Sequence, residues 1–542
     1  MEAVSIVLLL LLAVVVSGAL SRMIPFGIPR PIVQIALGSV IGLMAQYRVE
    51  LDPELFFLLF LPPLLFLDGW RIPKDELLKD VPAILELALG LVIFTVVGMG
   101  LFIHWLIPAM PLPVAFALAA VISPTDPIAV SAIAARVPVP KRMMHILEGE
   151  SLLNDASGLV CLRFAVAAAI TGVFSPSQAA LNFLWLAVGG LAIGVGVTIV
   201  ISRLKSWVNQ RFGEESGSQI LVSLLIPFAS YLLAEHFHCS GILAAVAAGV
   251  TMSFTEISRG AMANTRMRRN SVWDMIQFTA NGIIFVLLGE QLPSIISGAV
   301  ETVQLTGHLS PWWLAVYVVA INVGLAALRF VWVWVSLHLT LFRKRRGGET
   351  VSSPNWRVVA AMSFAGVRGA ITLAGVLTLP LVLADGSPFP ARDLAIFLAA
   401  GVIILSLLAA SIGLPMLLRG LKMPPEPSKV AAEDRLRIAN AEAAIRAVEH
   451  MQHQLAAGRS DADLHAAAGA RVMDFYRQRI ESRREQDEEQ RRQDKVEREL
   501  HLAALQAERR NTLQLLRKRE TDSETARKLM REIDLLEARY QM

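Results

Sequence analysis

Residues 1–424 are dominated by runs of about twenty mostly apolar residues, and that repetition constrains the fold more than anything else in the chain. A helix needs roughly 20 such residues to cross about 30 Å of hydrocarbon. Segments of this kind fall near 3–20, 30–46, 53–70, 81–106, 112–135, 142–170 and 178–202. Six more fall near 217–235, 239–255, 271–290, 310–341, 356–384 and 393–418, which makes thirteen. Backbone groups in lipid must be satisfied internally, so the expectation is an all-α polytopic membrane protein. The first segment resembles a signal peptide in length. Its start, Met1-Glu2-Ala3, has no basic residue, so it reads as a retained span.

The loops orient these spans. Alternate connections, beginning with the first, hold Arg22, Arg30, Arg71, Lys74, Lys79, Arg136, Lys141 and Arg142, and the pattern continues through Arg419 and Lys422. That side carries 22 basic residues, whereas the opposite connections carry only Arg48 and Arg392. Lys and Arg concentrate in cytoplasmic loops. The N-terminus is therefore expected outside and residue 425 onward in the cytoplasm, with the plasma (inner) membrane as the location.

Charge also divides the chain. Residues 425–542 hold 23 Lys+Arg and 23 Asp+Glu, so the formal net charge of +4 belongs entirely to residues 1–424. This balance gives no reason to expect nucleic acid as a partner. Two cysteines, Cys161 and Cys239, cannot build a disulfide framework. No cofactor motif is visible.

With an outside N-terminus, thirteen spans suggest two inverted six-span repeats around a linking seventh. The fifth span of each half is the interrupted one, at SPTDPIAV (123–130) and GVRGAITLAG (366–375). Broken segments at matching positions of two halves mark the binding site of a secondary transporter. Asp126 sits between Pro124 and Pro127, which should unwind the backbone and leave carbonyls beside a carboxylate. A cap for the second half-helix is the simpler role for Asp126, and the two are compatible.

The sixth span carries Glu150, Ser151, Asn154 and Asp155. Ser151 and Asp155 share one helical face, and Glu150 and Asn154 share the next. Ionisable groups at membrane depth are costly and rare, which makes each a functional candidate. One of the two carboxylates should be neutralised by a basic partner and the other left to hold a proton or a cation. Arg329 lies too deep in the eleventh span to reach water and needs an acid. Arg368, at the break of the twelfth span, could face Asp126 in place of a cation or hold orphan carbonyls there. Asp68 and Asp274, at span ends, read as solvated charges at an entrance, and His145 and Glu148 as lining for the cytoplasmic approach.

ISPTDPIAV (122–130), LEGESLLNDASG (147–158) and AGVRGAITLAG (365–375) resemble, in order and spacing, the monovalent cation/proton antiporters. Within these, the sodium/proton exchangers with an Asn-Asp pair in the sixth span are the similar group. The resemblance spans residues 1–424. It implies thirteen helices in inverted repeats, with crossing broken helices 5 and 12, a dimer subdomain, a mobile core subdomain, and a homodimer in the bilayer. It implies Asp155 as the carrier of cation or proton, with Ser151, Asp126 and Thr125 completing the Na⁺ shell. Glu150 would be the structural acid paired with Arg329, and Arg368 the charge of the second crossing helix. Asn154 stands where an electrogenic group has a second Asp, which implies electroneutral one-for-one exchange of Na⁺ or Li⁺ for H⁺.

An antiporter selective for K⁺ fits the same motifs, and a cation channel or uniporter fits the buried acids alone. An intramembrane aspartyl enzyme using Asp126 and Asp155 would need two unneutralised acids sharing a proton, which suits this pattern less well. The chain is therefore expected to be a transporter and not an enzyme.

Residues 425–542 read as a cytoplasmic helical tail, a packed appendage or a regulatory module. The spacing of Val496, Leu500, Ala503 and Ala507, and of Leu529, Ile533, Leu536 and Tyr540, predicts amphipathic helices or a short coiled coil.

Overall fold

The computed structural model describes residues 2–23, 28–44, 53–72, 86–126, 130, 141–172, 176–258, 263–305, 312–346, 356–383, 386–419, 427–456, 462–484 and 488–541. Pro127, Arg48, Lys74, Lys79, Arg136, Arg259, Lys422 and the 424–426 boundary lie outside the described residues. The chain separates into two compact units, Met1–Leu421 and Lys422–Met542.

The first unit is helical among the described residues, apart from an isolated bridge between Val382 and Pro388. Its elements are α1 (Glu2–Met23), α2 (Arg30–Leu43) and α3 (Pro53–Arg71), then a π-helical turn, Glu86–Leu91, running into α4 (Val92–Leu106). Next come α5 (Leu112–Ile122), α6 (Lys141–Thr171), α7 (Pro176–Phe212), α8 (Ser216–His236) and α9 (Gly241–Ser258). The series closes with α10 (Ala263–Leu305), α11 (Trp312–Arg346), α12 (Trp356–Phe364), α13 (Ala370–Leu377) and α14 (Arg392–Leu418). Eight helical stretches among the described residues are long and apolar enough to cross a bilayer, and three shorter apolar ones accompany them.

These helices pack as two groups. One contains α1, α2, α3, α7, α8, α9 and α10; the other contains α4, α5, α6, α11, α12, α13 and α14. Contacts within each group are dense. Those between the groups are sparse, except where α10 meets α14. Small residues set the close approach of α2 to α10, as Gly249 does that of α9 to α3. A Cβ at Gly38 would lie 2.0 Å from the Val286 carbonyl oxygen, and one at Gly289 would lie 2.0 Å from that of Ile35. Without a hydrophobic drive between helices in lipid, such backbone approach is what holds a pair together.

The second unit contains α15 (Pro427–Ala456), α16 (Ala462–Arg484), α17 (Glu488–Arg517) and α18 (Ser523–Gln541). α15 packs on α16, and α17 on α18. The buried seam of the second pair runs through Leu505 and Thr512 against Ala526 and Ile533. Val496 and Leu500, expected in that seam, are exposed. Ala503, Ala507, Leu529 and Leu536 of the same expected stripes are exposed as well, so the buried face is rotated from the expected one; the pair reaches back to His501, whose ring stacks on Tyr540 at 4.5 Å.

Asp522 caps α18. Its Oδ1 accepts from the backbone N–H groups of Glu524 and Thr525, both at 2.8 Å, and its Oδ2 accepts from the Thr525 hydroxyl at 2.6 Å. The side-chain bond from Thr525, followed by its backbone bond, holds the Asp522 carboxyl below its ordinary value of 3.8. A carboxyl depressed by folding stabilises above its unfolded value and loses that contribution as pH falls through the lower folded value. The cap is therefore complete at neutral pH and lost in acid. Asp522→Ala is expected to speed amide exchange at Glu524 and Thr525 at neutral pH; unchanged exchange there would contradict the cap.

Candidate functional site

Two interrupted helices meet at the centre of the first unit. α5 stops at Ile122, where Ser123 still holds helical dihedrals and Pro124 brings no amide donor to continue the ladder. Residues 125–126 then carry no regular secondary structure, while the other interruption covers Ala365–Gly369 between α12 and α13. The backbone N–H of Asp126 donates to the Val367 carbonyl at 2.7 Å, so the two interruptions touch directly. Arg368 ties them further. Its Nε donates to the Ile122 carbonyl at 2.9 Å, and its Nη1 donates to the Gly366 carbonyl. These acceptors are carbonyls that a broken helix leaves without internal partners. The Arg368 amide in turn donates to Ser406 Oγ of α14 at 3.2 Å. Of the two roles open to Arg368, the carbonyl contacts are the ones present. Gly369 is required here, since a Cβ would sit 1.9 Å from Asp126 Oδ2.

α6 brings its polar residues to this crossing. Glu150 forms a two-pronged ion pair with Arg329 of α11, with Nη1 to Oε1 at 2.5 Å and Nη2 to Oε2 at 2.7 Å. Both side chains are buried, and Arg329 Nε also donates to the Met362 carbonyl at 3.0 Å. The Thr125 hydroxyl donates to Glu150 Oε1 at 3.3 Å, and Asn154 Nδ2 donates to Thr125 Oγ1 at 3.1 Å. One chain of bonds thus links α12, α11, α6 and the unwound end of α5. Asn154 Oδ1 is buried with no hydrogen-bond partner.

Ser151 and Asp155 occupy the neighbouring face of α6 and are both buried. They line a pocket with Thr125, Asp126 and the start of α13, including Thr372. The pocket encloses about 390 Å³ of empty space, its open mouth included. The wall opposite comes from the other helix group, through Leu64 and Asp68 of α3 and Asn281 of α10. Asp155, Ser151, Thr125 and Asp126 are therefore brought together, and Glu150 is turned away into its ion pair with Arg329. Carboxylates and hydroxyls around a small cavity suit a monovalent cation or a proton; they offer no thiolate or imidazole ligands.

Two pocket residues carried little signal in the sequence. Asp68 reads as a solvated charge because Arg71 and a span end follow it, yet it lines the pocket. Arg71 is engaged elsewhere, with Asp274 and, at 2.7 Å, with Gln277 Oε1 of α10. Asn281 is one of several polar residues of α10, four after Gln277, and its spacing does not single it out from them. Arg163, deep in the sixth apolar segment, donates to Glu235 of α8 at 2.8 Å, a partially exposed pair that bridges the two helix groups. His145 lies 3.7 Å from Glu148, one helical turn away on α6.

The family model for the transmembrane sodium/hydrogen exchanger matches residues 7–420. An uncharacterized Na⁺/H⁺ exchanger of Escherichia coli (strain K12), YjcE, is 43% identical over 99% of this chain and 99% of that protein. A sodium, potassium, lithium and rubidium/H⁺ antiporter of Bacillus pumilus (strain SAFR-032) is 44% identical over 77% of this chain, which spans 61% of that protein's length. Among solved structures, the sodium proton antiporter MjNhaP1 from Methanocaldococcus jannaschii at pH 8 shares the fold. Its TM-score is 0.59 at 19% identity, covering 78% of this chain and 99% of that one. An all-helical chain with its broken helices joined around a carboxylate pocket thus belongs to the sodium/hydrogen exchanger family of monovalent cation/proton antiporters.

Proposed function

We propose that this chain exchanges Na⁺ or Li⁺ for H⁺ by alternating access, with Asp155 carrying either ion in turn. The observation that carries the reading is the division of labour on α6. Glu150 is neutralised by Arg329, whereas Asp155, one turn further on, lines the pocket with no basic partner among the described residues. A buried carboxylate of this kind needs a compensating charge, and a cation or a proton supplies it. If the helix group bearing α6 moves only when Asp155 is compensated, each cycle returns a proton for a cation. Ser151, Thr125 and Asp126 complete the cation's oxygen shell.

The sparse boundary between the two helix groups supports a core that moves against a scaffold, since the pocket lies at that boundary. The thirteen-span, inverted-repeat arrangement is supported by the meeting of the interruptions at 123–126 and 365–369, each in the fifth span of its half. The neutral Asn154, where a second acid would add charge, supports electroneutral exchange. The basic-loop bias supports an outside N-terminus and a cytoplasmic tail, and the family supports a homodimer in the plasma membrane. The Bacillus relative's name favours a second reading, in which K⁺ is carried as well.

The test is an exchange assay in proteoliposomes, scanning Na⁺, Li⁺ and K⁺ gradients against pH. Proton movement driven by Na⁺ or Li⁺ and not by K⁺ is expected; movement driven by K⁺ as well would replace the first reading by the second.

A further inference from the structure

From the register of α3 against α10, we infer that Asn281 supplies a neutral oxygen ligand to the transported cation from the wall opposite Asp155. This inference rests on the exchange reading above. Arg71, at the end of α3, is bonded to Asp274 and Gln277, three to four turns into α10. Going one turn deeper on each helix reaches Asp68 and Leu64 on α3 and Asn281 on α10, and all three line the pocket. The paired contacts of Arg71 therefore fix which face of α10 looks towards the cavity, and on that face, beyond Asp274 and Gln277, Asn281 is the residue that lines it.

The surroundings make a packing role a poor account of this side chain. Its neighbours Ala280, Ile284 and Phe285 are buried and apolar. No described residue hydrogen-bonds the Asn281 carboxamide. A half-buried amide on the pocket wall with no protein partner is left to pair with what the pocket holds, water or cargo. A cation leaving water needs oxygen ligands in place of its hydration shell, and an amide oxygen is one such ligand. Being neutral, it adds coordination without altering the charge that Asp155 must balance. A proton on Asp155 needs no such shell. Asn281 thus favours the cation-loaded form and leaves the proton-loaded form unaffected.

It also belongs to the helix group opposite the one bearing Asp155 and Ser151. Its contact with the cation is made when that wall faces α6. Asn281 is accordingly a specificity-determining residue for the cation and not a carrier of the proton.

The test uses the full chain in proteoliposomes, with Na⁺ and Li⁺ concentration series at fixed pH. Asn281→Leu is expected to raise KM for both ions about fivefold or more, leaving the maximal rate within about twofold of the parent. Its pH profile at saturating Na⁺ should match that of the parent. Asn281→Ala, which folds more readily if leucine overfills the pocket, should show the same KM shift, and Asn281→Ser should recover part of it. An unchanged KM in both the Leu and Ala variants overturns the inference, as does a fall in maximal rate alone, the signature of a structural role. Absence of Na⁺-driven proton flux in the unsubstituted chain would instead overturn the exchange reading itself.

Discussion

Replacing Asp155 by asparagine is expected to abolish Na⁺-driven proton flux in proteoliposomes. The substitution keeps the side chain's shape and removes both its charge and its proton. Asp155 is 4% exposed and faces the pocket. The two buried arginines nearby are already engaged, Arg329 with Glu150 and Arg368 with the carbonyls of Ile122 and Gly366. No described arginine is left to balance Asp155, which shares the pocket with Asp68 and Asp126, so its cargo is what balances it. Because the variant removes an uncompensated buried charge, it should fold and express at least as well as the parent. Full exchange activity in Asp155→Asn would sink the assignment. Loss of activity with a well-folded protein is the predicted outcome.

Breaking the Glu150–Arg329 pair should act on stability first. Removing one partner of a buried ion pair leaves the other charge stranded, which costs about 3–5 kcal/mol. Glu150→Ala leaves the Arg329 guanidinium with only the Met362 carbonyl, and also strips acceptors from Thr125 and Asn154. Arg329→Ala leaves a carboxylate buried with only weak neutral donors. Both single variants are expected to lose detergent-solubilised yield and to unfold at markedly lower temperature. The double variant Glu150→Gln with Arg329→Met, which removes both charges, should recover much of that loss. If the single variants prove as stable as the parent, the pair is not the brace the geometry makes it.

The sequence carried some parts of this site well and others hardly at all, for reasons that lie in particular residues. Ser151 with Asp155 and Glu150 with Asn154 are legible because a four-residue spacing fixes a helical face whatever the tertiary packing. The interruption after Ile122 is legible because Pro124 and Pro127 flank Asp126 at close spacing; a proline by itself is no sure stop, since Pro227, Pro293 and Pro415 lie inside helices. Arg329 announces its need for an acid by its depth. What cannot be read locally is which wall closes the pocket. Asp68 and Asn281 come to it through the rotation of α3 and α10 about their own axes, and no spacing within either helix fixes that rotation. Arg368 had two local readings, and only its position relative to Ile122 selects the carbonyl contacts. In the tail, the stripe from Val496 to Ala507 fits a helix face, but that face is exposed and Leu505 beside it is the residue covered. Periodicity gives faces, and tertiary packing decides what each face meets.

The most direct measurement is proton movement in sealed proteoliposomes under an imposed Na⁺ gradient, with the membrane potential clamped at zero and then at a fixed value. Protons should move uphill against their own gradient when Na⁺ runs downhill, at a rate that the potential leaves unchanged. Na⁺ uptake with no accompanying proton movement would contradict an exchange of the two ions at Asp155.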